Sequence, residues 1–313
     1  MKKVIITGGA GFIGSALVAE LNKFNYEIYV IDDLSFGNRE FVEVPDEKFF
    51  VEDILDKSKM EEIFHSIQPE IVVHLAAIHF IPYCNKHPYE SANINITGTM
   101  NILDITRKLN NVEHLFFAST AAVYPIYDDP LAEDHPAGPL DIYGLSKLTG
   151  EHLCNEFHLE SVIPVVICRF FNAFGPNETN PHLIPVIQQQ VNEGKRTIKL
   201  GNLDPKRDFI HTHDMARACR LLIEKHRDGM ETFNLGSGKE YSVREIVEAF
   251  ERQLGEKITI EQDPERIRKV DRKHLVADIS KLKSYIDWQP EVSIDEGIKT
   301  LLSEELNINH EGH

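Results

Sequence analysis

Apolar residues in this chain fall into short unbroken runs separated by longer amphipathic stretches. Val4–Thr7, Glu27–Ile31, Ile71–Leu75, His114–Ser119 and Pro164–Arg169 are strand-length and apolar on both sides of the pleat. Gly14–Phe24, Ser58–Ser66, Ala92–Lys108 and Ile142–Phe157 carry apolar residues at helical spacing. Strands alternating with helices pair in parallel through right-handed crossovers. Strands without polar alternation belong to a sheet covered on both faces. The pattern therefore predicts an α/β protein with a doubly wound parallel sheet.

Beyond Phe170 the rhythm changes. Pro, Asn and Gly cluster in Phe174–Pro181, followed by a predicted helix at Ile184–Glu193 and a strand at Thr197–Leu200. A strand at Thr232–Leu235, a helix from Ser242, a strand at Ile258–Glu261 and a charged loop at Asp263–Lys273 complete the reading. The expected organisation is a nucleotide-binding domain over residues 1–169 with a returning segment near 207–235. A smaller mixed α/β substrate domain takes residues 170–206 and 236–313. The polar tail Asn307–His313 is expected to fray.

Composition narrows the function. The 313 residues include 33 Lys and Arg against 50 Asp and Glu, a formal net charge of −17. Such an acidic chain lacks the clustered cations that hold nucleic acid or an anionic membrane, so neither is an expected partner. A small anion gripped by a few arginines remains compatible. Cys84, Cys154, Cys168 and Cys219 form no CxxC pair and read as reduced thiols. No apolar run approaches the roughly 20 residues of a membrane span. A cytoplasmic protein is the expectation.

The first predicted strand runs into Thr7-Gly8-Gly9-Ala10-Gly11-Phe12-Ile13-Gly14, then a helix. Glycines at 8, 11 and 14 suit a tight turn, close approach of backbone to a pyrophosphate, and tight helix–sheet packing. The phosphates would meet free N–H groups at the helix N-terminus. The second strand ends in Asp32-Asp33, acids placed to accept hydrogen bonds from the ribose hydroxyls of an adenosine and to repel a 2′-phosphate. This Rossmann-like pattern predicts NAD rather than NADP. Asp53-Ile54, after a third strand, is placed to border the adenine.

Tyr143 and Lys147 lie four apart near the start of a predicted helix, on one face. A neighbouring cation and a nicotinamide's positive charge would lower the tyrosine pKa from its usual value of about 10 toward neutrality and make it a base toward a sugar or alcohol hydroxyl. His211 and His213 sit two apart on a strand with no third ligand indicated, and no metal is expected. His74 is expected to pack rather than react.

With these motifs in order, the chain resembles the extended short-chain dehydrogenase/reductase family, and within it the nucleotide-sugar 4-epimerases of the UDP-glucose type. The resemblance spans nearly the whole chain. It includes Val73-His74-Leu75-Ala76-Ala77, Asn95-Ile96-Thr97-Gly98-Thr99, Ser119–Tyr124, Arg169-Phe170-Phe171-Asn172, Arg207–His211, Asn234–Gly238 and Ala277–Lys281. It implies that Leu75, Ala76, Ala77 and Asn95 border the cofactor. Thr120 would bond the sugar 4-oxygen, Tyr143 would be the acid/base, and Lys147 would hold the nicotinamide ribose. Asn172 would lie near the sugar diphosphate, Leu183 would border the nucleobase, and Arg207 and Arg268 would grip the diphosphate, with Arg–phosphate pairs explaining anion binding by an acidic chain.

Relatives that remove water from the sugar usually carry Asp-Glu after the catalytic hydroxyl. Here Ala121-Ala122 stand there, as in the simple epimerases, so the resemblance implies reversible oxidation at C4 of a UDP-hexose or derivative through a 4-keto sugar. A nucleotide-4-keto-sugar reductase is the alternative reading, with a dehydratase behind it. The segment Ile78–Cys84 departs from the family pattern; His79 is a candidate for substrate contact, and Tyr83 and Cys84 for the pocket wall. Pro125 replaces a usual Gly, and Leu275 stands where the family tunes sugar size. The resemblance also implies a homodimer built by the helices at 92–108 and 142–157.

Overall fold

The computed structural model describes residues 1–264 and 272–310, with side chains described up to residue 303. Strands β1 (Lys2–Thr7), β2 (Tyr26–Asp32), β3 (Phe49–Val51), β4 (Ile71–His74), β5 (His114–Thr120), β6 (Val165–Phe170), β7 (Asn172–Phe174), β8 (Thr197–Leu200), β9 (Lys206–His211), β10 (Met230–Leu235), β11 (Glu240–Ser242) and β12 (Thr259–Gln262) form three sheets. The main sheet has the order β10-β6-β5-β4-β1-β2-β3, and every neighbouring pair is parallel. The strand order reverses direction between β1 and β4, and a crevice at such a switch point is where this architecture binds ligands.

Alternation along the strands explains the two layers. Val4 and Ile6 enter a core with Leu17, Val30, Phe116, Cys168 and Leu222 on one face. Ile5 points the other way, into a core with Phe64, Val72, Ile102, Phe117 and Phe157. Both faces are covered by helices, which is why the strands show no polar alternation. A third core, built from Phe174, Ile187, Phe209, Ile246, Phe250 and Ile298, lies under the small sheets β11-β9-β7 and β12-β8.

The expected strands and helices are present with shifts of a few residues, and three features differ. Strand β3, the third strand expected before Asp53, is only three residues long. The stretch expected as one helix over 92–108 is three pieces: Pro88–Ala92, a π-helical turn Asn93–Gly98, and Thr99–Thr106. The closing helix Ile294–His310 continues into the segment expected to fray. Among the described residues, no helix is long and apolar enough to cross a membrane. All four cysteines are free and buried.

Two buried acids tie the returning segments together. Asp208, with no exposed surface, accepts from Ser237 N (2.7 Å), Ser237 Oγ (2.6 Å), Gly238 N (2.9 Å) and Ala277 N (3.1 Å). Glu151 accepts from Arg169 Nε (2.9 Å) and Nη2 (2.7 Å) and from the Ser119 hydroxyl. Arg169 Nη1 reaches the Tyr124 hydroxyl (2.7 Å), which donates to Asn234 Oδ1 (2.8 Å). The motif residues at 169, 208 and 234 thus hold β6, β9 and β10 in place. Buried charges of this kind persist only when paired and fully hydrogen-bonded.

Candidate active site

One cleft of about 1340 Å³ opens along the carboxyl ends of β1, β2, β4, β5 and β6 and is closed on its far side by the loop after β7. At one end lies the glycine loop. Gly8 has φ +73°, and a Cβ there would stand 2.6 Å from Ala76 N. A Cβ on Gly14 would lie 2.1 Å from Gly8 O, so any side chain there forces the loop off the helix. The helix Phe12–Leu21 begins at this point with Gly11 as its N-cap and no side-chain cap, leaving its first N–H groups to meet a ligand. Asp32 accepts from Ala10 N (2.9 Å) and Leu34 N (3.0 Å) and is 8% exposed. Burial raises its pKa despite those bonds. These features fit a dinucleotide: a cradle that tolerates no Cβ, a free helix start, and an acid at the end of the second strand.

At the other end, Thr120 closes β5 and Tyr143 and Lys147 rise from the helix Ile142–Ser161, whose N-cap Asp141 accepts from Gly144 N. Gly8, Gly11, Phe12, Ile13, Gly14, Asp32, Asp33, Asp53, Ile54, Leu75, Ala76, Ala77, His79, Thr120, Tyr143, Lys147, Asn172, Leu183 and Arg207 all line the same cleft. Residues scattered over two hundred positions are thereby brought to one cleft. Arg268 lies outside the described residues. Asn95 departs from expectation: it is 1% exposed and does not border the cleft. Its Oδ1 accepts from Ile78 N (2.8 Å), and its Nδ2 donates to Ile78 O (2.9 Å) and Ser146 Oγ (2.9 Å). The π-helical turn carries its amide against the Ile78 backbone, so it positions the loop that bears His79.

In the chain without a bound nicotinamide, the Tyr143 pKa is raised above its ordinary value, because burial outweighs the Thr120 hydroxyl beside it. Burial also brings the Lys147 ammonium down to about 8. Its Nζ sits over the Phe117 ring at 4.2 Å, a cation–π contact that offsets part of the lost hydration. His74 is neutral, with burial bringing it to about 3. It is held between Thr7 Oγ1 (2.7 Å) and Thr99 Oγ1 (3.0 Å). Thr99 donates to Asn95 O (2.6 Å), which assigns the His74 proton to Nε2.

Several cleft residues were not singled out from sequence. Arg272 donates to Tyr124 O (2.7 Å) and borders the cleft. Glu178 and His182, from the loop after β7, face His79 across it. Burial raises Glu178 to about 7. Their sequence signal was the polar interruption Asn177–His182, readable only as a loop. Tyr83 lines the cleft as expected, with its ring against Phe36 at 5.6 Å. Cys84 does not line it; its thiol is buried against Ile78 O at 3.5 Å.

The fold and cleft define a nucleotide-binding enzyme with a tyrosine–lysine pair at the reacting end. Comparison with known proteins makes the class definite. The sequence model of the family described as GDP-mannose 4,6 dehydratase matches residues 5–301. The UDP-glucose 4-epimerase of Corynebacterium glutamicum is 33% identical over 92% of this chain and 91% of its own. A crystal structure of UDP-glucose 4-epimerase from Thermotoga maritima with UDP-glucose superposes with a TM-score of 0.90 at 28% identity, covering 98% and 99% of the two chains. That of Bifidobacterium longum, in complex with NAD⁺ and UDP, gives 0.90 at 26% identity over 99% and 100%. The chain belongs to the extended short-chain dehydrogenase/reductase family, among its NAD-dependent nucleotide-sugar 4-epimerases.

Proposed function

We propose that the chain interconverts the C4 epimers of a UDP-hexose or a derivative of one, through a transient 4-keto sugar. The observation that carries this reading is the reacting end of the cleft. Thr120 and Tyr143 share one wall, Lys147 stands one helical turn behind, and Ala121-Ala122 occupy the positions where water-eliminating relatives place carboxylates. Two alanines there leave no proton shuttle for loss of water at those positions.

The residues then act as follows. Gly8, Gly11 and Gly14 let backbone N–H groups reach the pyrophosphate, and Asp32 takes the adenosine ribose hydroxyls. NAD, when bound, supplies the hydride acceptor and donor at C4 and a positive charge beside Tyr143. Burial holds the Tyr143 phenol protonated within the chain alone, so its base form depends on that added charge and on Lys147. Tyr143 accepts the O4 proton as the alcohol is oxidised and returns it after the sugar has presented its other face. Thr120 orients O4. Arg207 holds the diphosphate while the sugar turns, with Asn172 near it and Leu183 bordering the nucleobase. Met100, Leu145 and Leu159 are half-exposed or more on the helices Thr99–Thr106 and Ile142–Ser161. They support pairing of two copies through these helices, which light scattering at micromolar concentration would reveal as a dimer mass.

The test uses protein as purified. NAD released on denaturation is quantified, and native protein is incubated with UDP-sugars while anomeric protons are followed by NMR. Bound NAD with interconversion of a C4 pair establishes the reading. Turnover only when a 4-keto sugar and a reduced nicotinamide are supplied overturns it. In Tyr143→Phe, kcat should fall at least about 100-fold with NAD content unchanged.

A further inference from the structure

The loop after β4 and the loop after β7 meet across the cleft and bring two imidazoles and a carboxylate together. His79, Glu178 and His182 each offer one ligand atom, and the three atoms lie within 4.8 Å of one another. The Glu178 side chain is 6% exposed, yet among the described residues no Lys or Arg pairs with it. Its Oε1 accepts from Asn180 N at 2.9 Å, and its Oε2 is 4.0 Å from His182 Nε2. That second distance is too long for a hydrogen bond. The rings of His79 and His182 stack at 6.0 Å with 22° between their planes. Asn180 Nδ2 lies 3.3 Å from His79 Nε2, a geometry in which the amide donates to an unprotonated ring nitrogen. The three groups therefore converge on one point, with their ligand atoms close enough to share one ion.

We propose that His79, Glu178 and His182 form a binding site for a single divalent transition-metal ion of the Zn²⁺ class, at the edge of the nucleotide-sugar cleft. Two imidazole nitrogens and one carboxylate oxygen are the borderline donor set such ions favour, and three protein ligands leave a position open. The centre of a triangle with 4.8 Å edges is about 2.8 Å from each corner, so each ligand closes by less than 1 Å to reach the usual length of about 2.1 Å. Rotation about the side-chain torsions supplies that movement without moving either loop. The open position faces the cleft, where water or a sugar oxygen completes the coordination. The site is thus coupled to substrate: an occupied ion changes the sugar's surroundings while leaving the glycine loop untouched.

The test is calorimetric titration of the NAD-containing protein with Zn²⁺, beside Glu178→Gln and His182→Ala. The expected result is one Zn²⁺ per chain for the wild type, and an affinity at least about tenfold weaker in each variant. NAD content should stay equal in all three, which shows that the fold is intact. Failure to bind Zn²⁺, or binding unchanged in both variants and hence held by others of the 15 histidines, overturns the proposal. Should a variant fail to fold, X-ray absorption fine structure at the zinc edge of the wild type decides. Two imidazoles with every remaining donor an oxygen support the site, and a different number of imidazoles or a sulfur donor refutes it. None of these readouts depends on turnover, so the outcome is separate from that of the epimerase test.

Discussion

His114 provides a quantitative test of how the sheet responds to acid. It begins β5 with no exposed surface, its ring edge-on to His226 at 5.8 Å. Neither ring nitrogen meets a partner among the described residues. Burial, helped by the charges of His226, Arg227 and Lys2, brings its pKa from 6.5 to about 3. The folded state therefore binds fewer protons than the unfolded chain at any pH between those values. Its stability is full above 6.5 and declines as pH falls. At pH 5 the loss is about 2 kcal/mol, from about 1.5 pH units at 1.36 kcal/mol each. Replacing His114 by Leu removes the titrating group. Equilibrium urea unfolding at pH 7.5 and pH 5, for wild type and His114→Leu, gives two stability differences. The variant's difference should be smaller by about 2 kcal/mol. At pH 7.5 the variant should also be the more stable of the two, because two buried nitrogens without partners are gone. Equal differences in the two proteins would refute the reasoning, since they would mean that His114 titrates in the folded sheet as it does in water.

Two further predictions concern the architecture around the cleft. Gly14→Ala places a Cβ 2.1 Å from a backbone oxygen, so the purified variant should carry almost no NAD while keeping its far-ultraviolet circular dichroism. Arg169→Met leaves Glu151 buried with the Ser119 hydroxyl but without its hydrogen-bonded cation. The expected cost is about 3–5 kcal/mol, read by urea unfolding, with partial recovery in the Arg169→Met/Glu151→Leu double variant.

The features legible in the sequence are those whose physics is local or periodic. The glycine loop, the acid ending β2 and the Tyr143–Lys147 spacing each lie within one turn or one strand end, and the cleft collects them. Apolar runs gave the strands because a doubly covered sheet removes alternation. What escaped depends on three-dimensional convergence. A π-helical turn keeps a helical apolar pattern, so nothing in residues 92–108 marks the break that turns Asn95 away from the cleft. The facing of His79 by Glu178 and His182 joins loops about a hundred positions apart. Tyr143 was read through its charged neighbour. Burial, which the sequence does not display at a helix start, acts on it in the opposite direction in the chain without a nicotinamide.

The seventh strand has a consequence for how the protein is made. β10 completes the main sheet by pairing along the whole length of β6, from Val165 beside Met230 to Phe170 beside Leu235. The chain leaves the ribosome amino end first, so β6 waits with an open parallel edge while the sixty or so residues after it are synthesised. Open edges invite pairing with other chains. A nascent chain stopped before residue 230 leaves one edge of Val165–Phe170 open, the other being paired with β5, and a chain long enough for residues 230–235 to emerge covers it. Its solubility during synthesis is thus set by the arrival of one six-residue segment.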